Sequence, residues 1–565
     1  MPPSPLAQDV VRILELCRKE RNRHRISLSF SYIYRSGLVI HASLGSYVVM
    51  MMVEDGNILY TKEVFERLIC QDHYLWNALI IGYVKYGEIH EALDLYETMI
   101  QRECVIYANN LAFVSLLSAC TILQDMERGE GIYSEIARRG FHETDVFIGS
   151  SLINMYAKCG FMRKANDVFN KQLIQNVVSW TALIAGYAEH GHFRELFHCE
   201  KEMRRQGILL DTFTFGFILR ACAIMKDIEK GREVHGEVTR LGLLEDDYVL
   251  GSILVDMYAK CGYLVEALKV FEKLPKKDVV SWTAIVAGYT EYGHDEEALS
   301  CYRNLQLEGI APNEVTFVCI LNCCGSLGAL CTGKEIHTQI IIKGLEKELF
   351  LGNSLINMYI KCGLLLDARA VFDILPIRDV VSWTALVTGY GQLGEIKDIY
   401  PILERMMGEG ITPDLVTFRA VLNVCSHAGS IDKAEVFFIS IISHYGLLPK
   451  CEHYNCLVDL FGRAGHIEKA IMTMEQMPFH PSITSWNTML SSCQWWNNVE
   501  LGKDAFKHSV QMNEKDTAAY VCMCNIYVNA AMHDQADDDV LALRTTCTSP
   551  CSLNTNVESI PSSYR

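Results

Sequence analysis

The chain has 565 residues, half of them apolar and 21% charged, which excludes disordered and collagen-like classes. Its 51 Lys and Arg stand against 68 Asp and Glu, a formal charge of −17, so a nucleic-acid site has to be a local stripe rather than a property of the whole chain. The 22 cysteines are spaced with internal repeats, unlike a secreted disulfide framework, and point to a reduced compartment; no run of about 18 uncharged apolar residues could form a membrane span.

Residues 1–6 form a short leader without an apolar signal core, and repeat sequence begins at Ala7. The basic run Arg18 to Arg25 lies inside the first unit. With only 13 prolines, the chain favours long helical stretches. YLWNALIIGY with Trp76 introduces a motif that returns as VVSWTALIAGY from Val177, VVSWTAIVAGY from Val279, VVSWTALVTGY from Val380 and ITSWNTML around Trp486. SLINMYAKCG at Ser151–Gly160 recurs at Ile253–Gly262 and Ser354–Gly363, and cysteine-ended segments close at Cys120, Cys222, Cys324 and Cys425. Val177, Val279 and Val380 lie 102 and 101 residues apart, a triplet of units of 31, 35 and 35 to 36 residues. A period of roughly 20–50 residues signals a solenoid or an array.

Each unit reads as two helices. In residues 146–176, Leu152, Ile153, Met155 and Tyr156 fall at helical spacing, Gly160 is the stop signal, and Ala165, Val168 and Phe169 form a second apolar stripe. The stripe returns at Ala267, Val270 and Phe271 and at Ala368, Val371 and Phe372. One hairpin cannot bury such stripes alone, so neighbours must stack. Cys159, Cys261 and Cys362 are expected to be small buried thiols.

These motifs, in this order, resemble the plant pentatricopeptide repeat (PPR) proteins, in the branch that alternates standard (P), long (L) and short (S) repeats. The resemblance implies an all-α fold, a right-handed superhelical solenoid of stacked helix-turn-helix repeats spanning residues 7–482. Its register runs long 7–41, short 42–72, standard 73–109, long 110–145, short 146–176, standard 177–211, long 212–247, short 248–278 and standard 279–313. It continues long 314–348, short 349–379, standard 380–414, and closes with a modified long unit 415–450 and a modified short unit 451–482. Residues 483–544 resemble an incomplete E-type extension of editing-factor members, and 545–565 are a polar tail unlike the family.

The family reads one RNA base per repeat through the fifth and last residues of a unit. Carried over, the pairs are Ser46/Asp72, Asn77/Asn109, Ser150/Asn176, Thr181/Asp211, Ser252/Asp278, Thr283/Asn313, Asn353/Asp379, Thr384/Asp414 and Asn455/Ser482. Their donors and acceptors suit the Watson–Crick edge of a splayed single-stranded base. Small polar residues are also what helix N-caps require, so both readings stand. The resemblance implies that Thr or Ser prefers purines and Asn pyrimidines, while last-position Asp favours G or U and Asn favours A or C. The implied RNA is G-C-n-A-G-n-G-A-n-U-G-n-C, the long units, with Val114, Gly216, Val318 and Arg419 at the fifth position, reading nothing.

Lys85, Lys158, Lys260, Lys361 and Arg463 share one late position of the first helix, a periodic basic stripe suited to RNA phosphates or to a helix C-terminus. Phe147, Val178, Val280 and Val381, at second positions, could sandwich bases or simply pack between repeats. Catalytic and metal residues are expected to be absent, and no cofactor is expected: there is no C-x-x-C, and His235-Gly236-Glu237 has His337-Thr338-Gln339 as its repeat counterpart. The expected role is site recognition in C-to-U editing of single-stranded organellar RNA, with a deaminase-bearing partner supplied in trans and docked on the extension. The alternatives are a factor for RNA stability or splicing and a protein-binding scaffold. No membrane partner is expected, and the family implies the mitochondrion or, alternatively, the chloroplast.

Overall fold

The computed structural model describes residues 73–101, 108–392, 399–513 and 516–530, with Val53, Thr61, Phe65 and Glu66. Ser46 and Asp72 lie outside the described residues, as does everything after residue 530. Among the described residues every regular element is a helix, and these pair as antiparallel hairpins. The chain divides between Gly288 and Tyr289 into two compact units.

In the first unit, helix Val146–Lys158 packs on its own partner Met162–Lys171 and on Asn110–Leu123 and Val177–Glu189, the first helices of the neighbouring hairpins. In the second unit, Leu415–His427 contacts Ile431–Ser443, Val380–Gln392 and Cys451–Arg463 in the same way. A helix flanked on both sides must be apolar nearly all round, which is why VVSWTALIAGY has no clean polar face. The outer helices cover one side only and carry the stripe read from sequence: Ala165, Val168 and Phe169 are buried, as are their counterparts through Phe372.

At three junctions successive hairpins are locked by an aromatic pair. Phe169 meets Trp180 edge-on with centroids 4.5 Å apart, Phe271 meets Trp282 at 4.6 Å, and Phe372 meets Trp383 at 4.7 Å. Such T-shaped pairs add about 0.5–1.5 kcal/mol beyond the area they bury. Gly160 ends its helix at φ +83°, as expected, a conformation that side chains with a Cβ avoid.

The cysteine expectation needs correcting. Cys159, Cys261 and Cys362 are only partly buried, because each sits just past the end of its helix as the C-cap. Fully enclosed thiols lie inside the first helices, among them Cys120, Cys222, Cys324 and Cys425.

Close helix approach depends on glycine. A Cβ on Gly186 would stand 2.5 Å from Ala157 Cβ and 3.0 Å from Met162 Sδ. Gly186→Val is expected to destabilise the fold by about 1–3 kcal/mol through overpacking, read as a lower midpoint in urea denaturation.

Candidate functional site

The predicted pairs gather at the junctions between hairpins. Each last residue sits immediately before a first helix and caps it. Asn109 accepts from Ala112 N, Asn176 from Ser179 N, Asp211 from Thr214 N, Asn313 from Thr316 N, Asp414 from Thr417 N and Ser482 from Ser485 N. Asp278 and Asp379 accept likewise from Ser281 N at 2.8 Å and Ser382 N at 2.9 Å. These bonds satisfy amide groups that a helix start leaves open.

The fifth residues lie one turn into the preceding first helix, and most of them reach this cap. Thr181 Oγ1 is 3.4 Å from Asp211 Oδ1, Ser252 Oγ is 3.3 Å from Asp278 Oδ1, and Asn353 Nδ2 donates to Asp379 Oδ1 at 3.2 Å. In Asn77/Asn109 the bond runs from Asn109 N to Asn77 Oδ1, 3.0 Å. Thr283, in the first compact unit, donates to its own helix at Val279 O. Asn455 and Ser482 are joined through Thr484, whose hydroxyl accepts from Asn455 Nδ2 at 3.1 Å and lies 2.6 Å from Ser482 Oγ.

One expected pair is not assembled. Ser150 is buried and donates to Val146 O at 2.7 Å, while Asn176 is taken up in its capping box with Ser179. Ser252 makes the same bond within its helix, to Tyr248 O at 3.0 Å, yet reaches Asp278, so the bond to Val146 O does not by itself keep Ser150 from Asn176.

A third residue completes seven of these junctions, and reading the fifth and last positions alone misses it. Ser179, Thr214, Ser281, Thr316, Ser382, Thr417 and Ser485, third in their units, are fully buried. Thr181 and Thr214 hydroxyls meet at 2.8 Å, as do those of Thr384 and Thr417. Ser382 Oγ donates to Asn353 Oδ1 at 2.6 Å, and Ser485 Oγ to Asn455 Oδ1 at 2.7 Å. That bond fixes the amide with its oxygen inward and its NH₂ outward. The sequence signal for it is Ser or Thr recurring as the third residue of the helices that begin at Val177, Thr212, Val279, Glu314, Val380, Leu415 and Ile483.

The carboxylates divide their work. In Asp211, Asp278, Asp379 and Asp414 the Oδ1 oxygen takes the cap bond, while Oδ2 has no hydrogen-bond partner among the described residues and stays available as an acceptor. Burial alone would raise the Asp379 carboxyl, but bonds from Ser382 N–H and Asn353 Nδ2 outweigh it and hold its pKa below the ordinary 3.8.

Around the junctions the second residues project outward: Phe147, Val178, Val280 and Val381 are 73%, 54%, 54% and 59% exposed. Packing between repeats is therefore not their role. Leu111, Phe213, Val315 and Val416, at the same place in the long units, are exposed too.

The basic stripe is partly neutralised. Lys85, Lys158, Lys260, Lys361 and Arg463 each end their helix, in keeping with the sequence pattern. Lys158 is paired with Glu189, Lys260 with Asp256 at 2.8 Å and Arg463 with Asp459 at 2.9 Å, whereas Lys85 lies over the Tyr86 ring. Lys361 has no ion pair among the described residues. His235, considered as a ligand, instead places Nδ1 2.9 Å from Tyr258 OH, as His337 does with Tyr359 at 2.8 Å.

The caps set two stability outcomes. Asp211→Ala is expected to cost about 1 kcal/mol and Asp211→Asn only a few tenths, measured by urea melts, since Asn also caps. Because the folded pKa of Asp379 is depressed, its stabilisation is present above the ordinary carboxylate range and disappears as pH falls through the folded value. The stability gap between the wild type and Asp379→Ala is expected to narrow as pH is lowered from about 5 toward 2.

The PPR repeat family matches residues 175–224, 277–326 and 378–427, and the PPR repeat matches 74–104, 150–171, 252–279, 353–378, 416–444 and 452–479. A pentatricopeptide repeat-containing protein of Arabidopsis thaliana is 32% identical over 528 residues, 93% of this chain and 76% of its own length. Another from the same plant, named as mitochondrial, is 32% identical over 87% of this chain and 89% of its own. A third, named as chloroplastic, is 31% identical over 88% of this chain, which spans only 57% of that relative. Among solved structures, maize PPR10 in complex with an 18-nt psaJ RNA element covers 98% of this chain at 16% identity with a TM-score of 0.51, a likeness of fold. With this density of matched repeats and relatives aligned along most of its length, the chain belongs to the pentatricopeptide repeat family.

Proposed function

We propose that this protein binds single-stranded RNA in a plant organelle and reads it base by base at the hairpin junctions. The observation that carries the reading is the free Oδ2 at Asp211, Asp278, Asp379 and Asp414, beside an oriented hydroxyl or amide of the fifth residue and flanked by exposed apolar second residues. A carboxylate acceptor with a neighbouring donor complements the N–H and carbonyl of a guanine or uracil edge, and exposed side chains above and below offer stacking surface. The solved RNA complex of PPR10 and the organelle names of the relatives agree with this reading.

Within it, residues 7–482 act as the P, L and S array and the segment from 483 as an E-type extension. The array selects a site for C-to-U editing, and a deaminase supplied in trans docks beyond it, in the mitochondrion or, alternatively, the chloroplast. The protein itself carries no catalytic residue in this scheme.

Two measurements test it. Thr384→Asn, facing Asp414, is expected to change the preferred base at that position from G to U, by about tenfold in affinity, in gel-shift titrations of 5′-GCNAGNGANUGNC-3′ and its G-to-U variant. Equal binding of both RNAs by both proteins would reject base reading. In a salt series, Lys361→Ala is expected to reduce the slope of log affinity against log salt by about one, and Lys260→Ala by less, because Asp256 already pairs with Lys260.

A further inference from the structure

The segment after residue 482, assigned by sequence to protein docking, contains a junction of the same construction. Helix Ile483–Trp496 begins with the recurring motif, and its fifth residue is Asn487. Helix Thr517–Asn529 packs against it as the next first helix does elsewhere, and Asp516 caps that helix through Ala518 N at 3.1 Å. Asn487 Nδ2 donates to Asp516 Oδ2 at 2.6 Å.

The third residue with a hydroxyl is missing, since Ala519 stands where Ser179, Thr214, Ser281, Thr316, Ser382, Thr417 and Ser485 stand at other junctions. Ser509, fully buried on the outer helix Val499–Met512, takes its place and donates to Asn487 Oδ1 at 2.7 Å. It also lies 3.3 Å from Asp516 Oδ2. The amide is thus held as at Asn353, oxygen inward and NH₂ toward the last residue, although the serine comes from a different element.

We propose that Asn487 and Asp516 form one more base-reading pair and that it selects uracil. This rests on the proposed base reading of the array. Asn487 Nδ2 keeps one N–H for a base carbonyl, and the Asp516 carboxylate keeps lone pairs for an N–H donor. Uracil presents both at its O2, N3–H and O4 edge, whereas cytosine turns an unprotonated N3 toward the carboxylate. Asn reaches further than Thr181 or Thr384, which places the smaller pyrimidine within range. The neighbouring second residues are Thr484 and Ala518, both exposed, so stacking is weaker here than beside Val381. With no long unit between them, the new base directly follows the one under Asn455.

The test uses the full chain and the RNA 5′-GCNAGNGANUGNCX-3′ with X as U, C, A or G, beside a G-to-U change under Thr384/Asp414. U is expected to bind about 5–10-fold tighter than C. Asn487→Thr with Asp516→Asn is expected to move the preference to A. Indifference to X while the Thr384/Asp414 base still matters would overturn this pair and leave the array reading intact. Indifference at both positions would overturn both. The wild-type arm decides the matter even if the double variant fails to fold.

Discussion

The junction between hairpins depends on one constraint: a helix start exposes amide groups that something must satisfy. Here the last residue of each unit does so with a single oxygen, as Asp211 Oδ1 does for Thr214 N at 2.8 Å. The same atom draws in the fifth residue of its own unit, and the buried third residue of the next unit closes the set. Capping therefore leaves the second carboxylate oxygen available for the proposed base reading. A residue that must cap a helix start has few choices, which accounts for Asp, Asn and Ser recurring at the last position.

What holds the junctions at regular spacing is the apolar interior beneath them. Within each compact unit a first helix such as Val146–Lys158 or Leu415–His427 contacts the first helices on either side, and the Phe–Trp pairs repeat with centroids 4.5 to 4.7 Å apart. Gly186 admits the Ala157 methyl at the closest approach. A junction tolerates polar variation because its position is set by this packing rather than by its own hydrogen bonds.

Charge is handled locally. Glu200, fully buried, is shared by Arg204 at 2.5 Å and Lys230 at 3.3 Å, and Arg204 also reaches Glu237 at 2.6 Å, an ion network that ties consecutive outer helices together. The late basic residues of the inner helices obey no single rule: carboxylates engage Lys158, Lys260 and Arg463 but not Lys361. Positive potential along that stripe is accordingly uneven, and an acidic total charge is compatible with it.

The sequence by itself determined the helical hairpins, their period, the buried stripes from Ala165 to Phe372 and the residues that cap each junction, because these depend on spacing and local backbone demand. It also marked the fifth and last positions as polar partners. Only the tertiary structure decided which partners meet. Ser150 bonds within its own helix and does not meet Asn176, Asn353 is turned by Ser382 of the next unit, and Ser509 substitutes for a missing hydroxyl from another helix. Likewise it exposed Val178 and Val381 and paired Lys260 with Asp256. Hydrogen bonds and ion pairs are short-ranged and directional, so they are settled by where packing brings side chains separated by about thirty residues, which no repeat pattern specifies.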